Sequence, residues 1–192
     1  MTGRTHDIAG MTALTLFVVL SPTLPTMTLA TAITAFGANF IGSLFPDIDQ
    51  PTSDLWDNFR GGPLLSKFVC KFLGGHRHLS HSIIGTCFFG YLVALALHAV
   101  DSIVLVDMTI VWWSFMLGYV SHLLFDMPTK EGVPLFWPIM WKVGIPPFRF
   151  LRIRSGFFVE KLLIFPGLLL LNAFLFYSNY EKFVDLFHAL QK

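Results

Sequence analysis

Eight residues able to hold a cation or move a proton stand at the ends of long apolar runs: His6, Asp47, Asp49, His76, His81, His122, Asp126 and Glu160. His122 and Asp126 are four apart, so on a helix they share a face and can grip one ion. Asp47 and Asp49 lie two apart between Pro46 and Pro51, which disfavour helix, and in an extended stretch both point the same way. His76 and His81 are five apart and do not share a helical face. That places His76 in a loop and His81 in the first turn of a helix, with Ser80 as a cap. Taken singly, each is an ordinary anchor for a helix end at a membrane surface. Taken together, four carboxylates converging beside lipid would repel one another and cost on the order of several kcal/mol each to desolvate. One or two divalent cations remove that penalty, and His with Asp suits zinc, or else manganese.

The elements that must bring these residues together are membrane helices. Of the 192 residues, 54% are hydrophobic and 16% aromatic, with 21 Phe, and only 13% are charged. Soluble domains carry roughly 25% charged residues. The mean hydropathy of +0.65 agrees. This composition excludes a soluble enzyme, a disordered regulator and a disulfide scaffold, and a net charge of +1 gives no case for nucleic-acid binding. Cys70 and Cys87 have no CxxC spacing and read as buried thiols.

A bilayer crossing takes about 20 mostly apolar residues. Runs near 8–20, 27–45, 79–100, 103–125 and 157–177 meet or approach that length, predicting an all-α polytopic membrane protein of about five transmembrane helices in one domain, 1–192. The first run is not a signal peptide, because His6 and Asp7 precede its core and a second apolar run follows at once. Five crossings put 11 of the 13 basic residues on the side of the N-terminus and the loops at 46–78 and 126–156. The positive-inside rule makes that side cytoplasmic and the C-terminus periplasmic.

Both loops are too apolar for disorder. From Pro63 to Leu73, Leu64, Leu65, Phe68, Val69, Phe72 and Leu73 form one helical face opposite Lys67 and Lys71, a helix for the headgroup layer. The second loop ends in Phe148-Arg149-Phe150-Leu151-Arg152-Ile153-Arg154, a strip suited to anionic lipid. The tail from Glu181 to Gln191 is weakly amphipathic, on the opposite side.

The motifs that carry these residues resemble, in order, those of the bacterial membrane-bound, LexA-regulated, metal-dependent hydrolases of the inner membrane. They are Thr5-His6, Leu44-Phe45-Pro46-Asp47-Ile48-Asp49-Gln50-Pro51, His76-Arg77-His78-Leu79-Ser80-His81-Ser82, Gly118 to Asp126, Gly132 to Pro138, and Gly156 with Glu160. His78 stands where that family usually has Gly and Ser80 where it has Thr; neither change removes a candidate ligand. The resemblance covers roughly residues 5 to 160 and implies a metal-dependent hydrolase in the bacterial inner membrane. The ligand types on several helices are also similar to those of zinc-dependent phospholipase C, an analogy of site alone.

The expected chemistry is hydrolysis of a phosphoester of a lipid or another membrane-proximal substrate by metal-activated water. His6, Asp47, Asp49, His76, His81, His122 and Asp126 are the expected ligands. Glu160 is a further ligand or the general base, and Arg77 the phosphate-holding group. Arg149, Arg152 and Arg154 read as headgroup anchors. The alternative is a non-catalytic membrane protein with a structural or divalent-ion-binding site. A transporter would need ligands near the midplane, and HExxH, the mark of a metalloprotease, is absent.

Overall fold

A computed structural model describes residues 1–23, 26–50, 53, 56, 62, 66, 69 and 78–190. These hold six α-helices and no β-strand: α1 (Gly3–Leu20), α2 (Leu29–Leu44), α3 (Ile83–Val100), α4 (Met108–Asp126), α5 (Phe165–Ser178) and α6 (Tyr180–Ala189). The predicted headgroup-layer helix, His76 and Arg77 lie outside the described residues, apart from Ser66 and Val69. Among the described residues four stretches are long and apolar enough to cross a membrane: Leu29–Asp49, Ile83–Val100, Met108–Asp126 and Glu160–Ser178. The protein is therefore an all-helical polytopic membrane protein.

Its side chains are sorted for lipid. Ile33, Phe88, Tyr91, Leu170 and Phe174 point outward, while Thr5, Thr12, Thr15, Thr31, Asn39, Ser43, Ser114 and Asn172 are buried. Lipid tails are as apolar as leucine, so helices associate by close packing and interhelical hydrogen bonds instead of by hiding apolar surface. Cys87, expected to be buried, is exposed on α3, where a small soft side chain meets lipid at little cost.

The α2–α4 pair makes the most extensive contact. Gly118 faces the Asn39 carbonyl and Gly42 faces the backbone of Phe115 so closely that a Cβ fits at neither position. Asn39 Nδ2 then donates to Ser114 O at 3.0 Å across the seam. Helix α1 packs against α2, α4 and α5. Gly10 lies against Asn39 and Ser43, and Asn172 Nδ2 of α5 donates to Thr12 Oγ1 at 2.6 Å. Polar contacts thus hold α1, and they account for its lower hydropathy.

Two boundaries differ from expectation for local reasons. The run at 157–177 is interrupted by Pro166, which has no N–H and would clash with a carbonyl one turn back. The chain widens there into a π-helical turn, Glu160–Ile164, with Phe165 N–H reaching Glu160 O, before α5 begins. The run at 79–100 opens with a 3₁₀ turn, Leu79–His81, and α3 is capped by Ser82, whose Oγ accepts from Gly85 N at 2.9 Å. Ser82, and not Ser80, is the cap.

At one end of the bundle Phe89, Phe115, Tyr119, Leu123 and Val133 form an apolar core. On it sits the lobe that joins α4 to the π-turn, tied down by Val133 N to Val143 O at 2.8 Å, Ile153 N to Pro128 O at 2.9 Å and Ile83 N to Leu135 O at 3.0 Å.

Candidate metal centre

His122 lies on the α4 face that packs on α2. Because those backbones touch, His122 Nδ1 reaches the Ser43 carbonyl at 2.6 Å. A carbonyl can only accept, so Nδ1 carries the proton, and in the neutral ring Nε2 presents its lone pair. That nitrogen is buried with no hydrogen bond among the described residues. It faces Asp47 Oδ1 at 3.7 Å and Asp126 Oδ2 at 3.8 Å.

His81 is fixed in the same sense by a different route. Ser80 Oγ donates to Asp49 Oδ2 at 2.5 Å, which leaves its lone pairs for His81 Nδ1 at 3.1 Å. Tyr119 OH donates to Ser80 O at 2.5 Å and holds the turn. His81 Nε2 is thereby turned to Asp47 Oδ1 at 3.6 Å and Asp126 Oδ2 at 3.8 Å. His6, one turn into α1, stacks on His122 with ring centroids 3.6 Å apart and planes 11° from parallel. Its Nε2 lies 3.4 Å from Asp126 Oδ1, which the Met1 amino group also contacts. His6, His81 and His122 are fully buried, Asp126 almost so, and Asp47 keeps 17% of its side chain exposed.

Distances of 3.6 to 3.8 Å are too long for hydrogen bonds. They are close to what donors around a common centre require, since two ligands about 2.1 Å from a tetrahedral ion stand about 3.4 Å apart. His6, Asp47 and His122, and likewise His81, His122 and Asp126, each offer ligand atoms within 4.8 Å of one another. Two lone-pair nitrogens and two carboxylate oxygens converge with their backs already hydrogen-bonded, as ligating histidines usually are. The donor set fits a divalent cation.

Five of the predicted ligands, His6, Asp47, His81, His122 and Asp126, are thus brought together; His76 lies outside the described residues. Asp49 is not turned inward with Asp47. Phe45–Asp49 is a 3₁₀ helix instead of an extended strand, and at three residues per turn, positions two apart diverge widely. Asp49 stands behind His81, 3.6 Å from its Nδ1, and is fully buried.

Glu160 does not join the cluster either. Its Oε1 accepts from Thr2 N at 2.7 Å, Thr2 Oγ1 at 2.8 Å and Thr5 Oγ1 at 2.7 Å, and its Oε2 from Gly156 N at 2.6 Å. A carboxylate so saturated at the start of α1 complements the helix dipole and fixes the turn that carries His6. The loop arginines serve the lobe: Arg152 donates to the carbonyls of Pro146, Gly144 and Pro147, Arg149 to that of Lys130, and Arg154 lies 4.7 Å over the Phe157 ring. Sequence reasoning missed Ser43, whose contribution is a main-chain carbonyl, and Tyr119, which looked like one more aromatic. It also missed a cleft beside the start of α1, lined by Thr2, Arg4, Thr5, Lys161 and Phe165.

These features define a polytopic α-helical membrane protein with a buried His/Asp cluster at one end of its bundle. The chain belongs to the YdjM inner membrane protein family, whose model matches residues 1–184. It is 32% identical to YvsG of Bacillus subtilis (strain 168) over 184 residues, 94% of this chain and 98% of that protein. It is 34% identical to the inner membrane protein YdjM of Escherichia coli (strain K12) over 110 residues, and matches YdjM of Shigella flexneri equally. That match takes in 54% of this chain and 48% of YdjM, so the chain spans about half the length of those two relatives. No solved structure gives a significant match.

Proposed function

We propose that this protein is a metal-dependent hydrolase of the inner membrane that cleaves a phosphoester of a lipid or of another substrate held at the membrane surface. The observation that carries the proposal is the convergence of His81 Nε2, His122 Nε2, Asp47 Oδ1 and Asp126 Oδ2. Those four atoms would hold the ion, and a mixed nitrogen and oxygen set suits zinc and then manganese. His6 completes the set or serves a second ion across Asp126. A bound divalent cation supplies Lewis acidity there, lowering the pKa of a coordinated water towards about 7 and polarising a phosphoryl oxygen.

The protein's own groups do the rest. Ser43 and the Ser80–Asp49 pair hold the imidazoles so that both Nε2 atoms face inward. Asp47, the partly exposed member, marks where substrate and water reach the cluster. Arg4 and Lys161, in the cleft one turn from His6, make no ion pair among the described residues and lend the positive charge that an anionic ester needs. With 11 of the 13 basic residues assigned to this end of the bundle, it faces the cytoplasm in this reading.

The test is metal content of the detergent-purified protein beside Asp47→Ala and His122→Ala, followed by phosphate release from lipid phosphates in nanodiscs. About one or two equivalents of zinc or manganese, lost in both variants, and metal-dependent turnover support the proposal. Stoichiometric metal with no turnover of any phosphoester or ester leaves a structural ion site, and no metal after repletion removes both.

A further inference from the structure

The lobe between α4 and the π-turn turns one arginine inward and leaves its large apolar side chains exposed. Arg152 is turned inward onto three carbonyls, in space that Gly144 leaves open: a Cβ there would collide with the guanidinium. Outward stand Ile139, Trp141, Ile145, Phe148, Phe150 and Leu151, each 57 to 78% exposed. Among the described residues nothing covers them. The lobe starts from Asp126, the last residue of one membrane-crossing stretch, and ends at Glu160, the first of another. It therefore hangs at the bilayer surface, and its apolar face continues the lipid-facing surface of those helices.

We propose that this lobe is immersed in the lipid interface of the leaflet nearest the His/Asp cluster, held by apolar insertion rather than by charge. The occupant of its outer face is the acyl and glycerol region of that leaflet. Aromatic and aliphatic side chains without a protein partner are favoured there, and Trp141 suits the boundary between headgroup and tail. Anionic headgroups are not required: Arg152 is satisfied internally, and of the exposed arginines Arg149 donates to the Lys130 carbonyl and Arg154 lies over the Phe157 ring. Since Ile145 N donates to Met127 O at 3.1 Å and Thr129 Oγ1 to Asp126 O at 2.7 Å, immersion also fixes the depth of Asp126. The inference does not depend on catalysis or on a bound metal.

The experiment uses the full chain with Cys70 and Cys87 replaced by Ser, in nanodiscs of phosphatidylcholine alone. A nitroxide is attached at Phe150→Cys, at Ile139→Cys as a second probe of the same face, and at Glu131→Cys as an exposed reference. Collision with oxygen, which concentrates in lipid, and with a water-soluble nickel complex is then read by spin resonance. The expected result is several-fold oxygen dominance at positions 150 and 139 and nickel dominance at 131. Nickel dominance at 150 and 139 would overturn immersion. Shielding from both agents would overturn it in favour of contact with a second protein surface. Oxygen dominance that appears only when phosphatidylglycerol is added would overturn the apolar basis.

Discussion

Gly118 of α4 faces the carbonyl oxygen of Asn39 in α2 with no room between them for a methyl group. One turn further along α4, the same approach puts His122 Nδ1 on the Ser43 carbonyl at 2.6 Å. Helix packing and the orientation of a candidate ligand are therefore one feature.

Gly118→Ala should push the α2–α4 seam apart and break both that bond and the one from Asn39 to Ser114. Overpacking of this kind costs about 1–3 kcal/mol, and thermal unfolding in detergent should show it together with a loss of bound metal. Gly37→Ala is the matched control, since a Cβ there meets nothing within 4 Å. Equal stability of the two variants would mean that the seam is looser than described.

Asp49 and Asp126 should differ in kind. Asp49 acts on His81 through Ser80, so Asp49→Asn should weaken metal affinity by roughly 10- to 100-fold, as loss of an orienting partner does. Asp126→Asn, which alters an inward-facing donor, should leave no stoichiometric metal. Competition with a chelator separates the two outcomes, and identical losses would place Asp49 among the ligands after all.

Glu160→Gln asks whether this carboxylate orders the start of α1 or takes a proton. An amide in its place sets N–H donors against some of the four donors it now accepts from, and an unsatisfied buried group costs about 1–3 kcal/mol. The expected result is a lower melting temperature with the metal retained. Unchanged stability with abolished turnover would restore the general-base assignment.

Lys182 of α6 donates to Val19 O at 2.8 Å and Ser21 O at 2.5 Å, closing the end of α1 with a cation where the helix dipole is negative. Lys182→Met keeps the stem and removes the charge. It should lower stability by about 1 kcal/mol and speed amide exchange in the last turn of α1, while leaving metal content as in wild type. A shift in metal content would mean that the far end of α1 controls its start.

Much of this arrangement is legible in the sequence because lipid imposes length and composition directly. The runs at 27–45, 79–100 and 103–125 find their helices, Leu29–Leu44, Ile83–Val100 and Met108–Asp126, and the four-residue spacing of His122 and Asp126 does place both in one cluster. The direction of Asp49 is not legible, because a proline at the start of a 3₁₀ turn and a proline in an extended stretch look alike in sequence. The surroundings of Glu160 are not legible, because its four donors are a backbone N–H and two hydroxyls from 155 or more positions away and one local N–H, a pairing that periodicity does not contain. Helix α1 begins five residues ahead of the expected run, because Gly3, Arg4, Thr5, His6 and Asp7 are not apolar, while the threonines at 12 and 15 dilute the hydropathy of the rest.

Those threonines bear on how the protein is made. A helix whose buried face carries Thr5, His6, Thr12 and Thr15 is poorly held by a bilayer until Asn39, Ser43, Asn172 and Glu160 meet it, and these arrive later in synthesis. His6 therefore joins the other donors only after α1 has docked against helices that follow it in the chain, so the cluster is assembled by tertiary packing and is absent from the half-made chain.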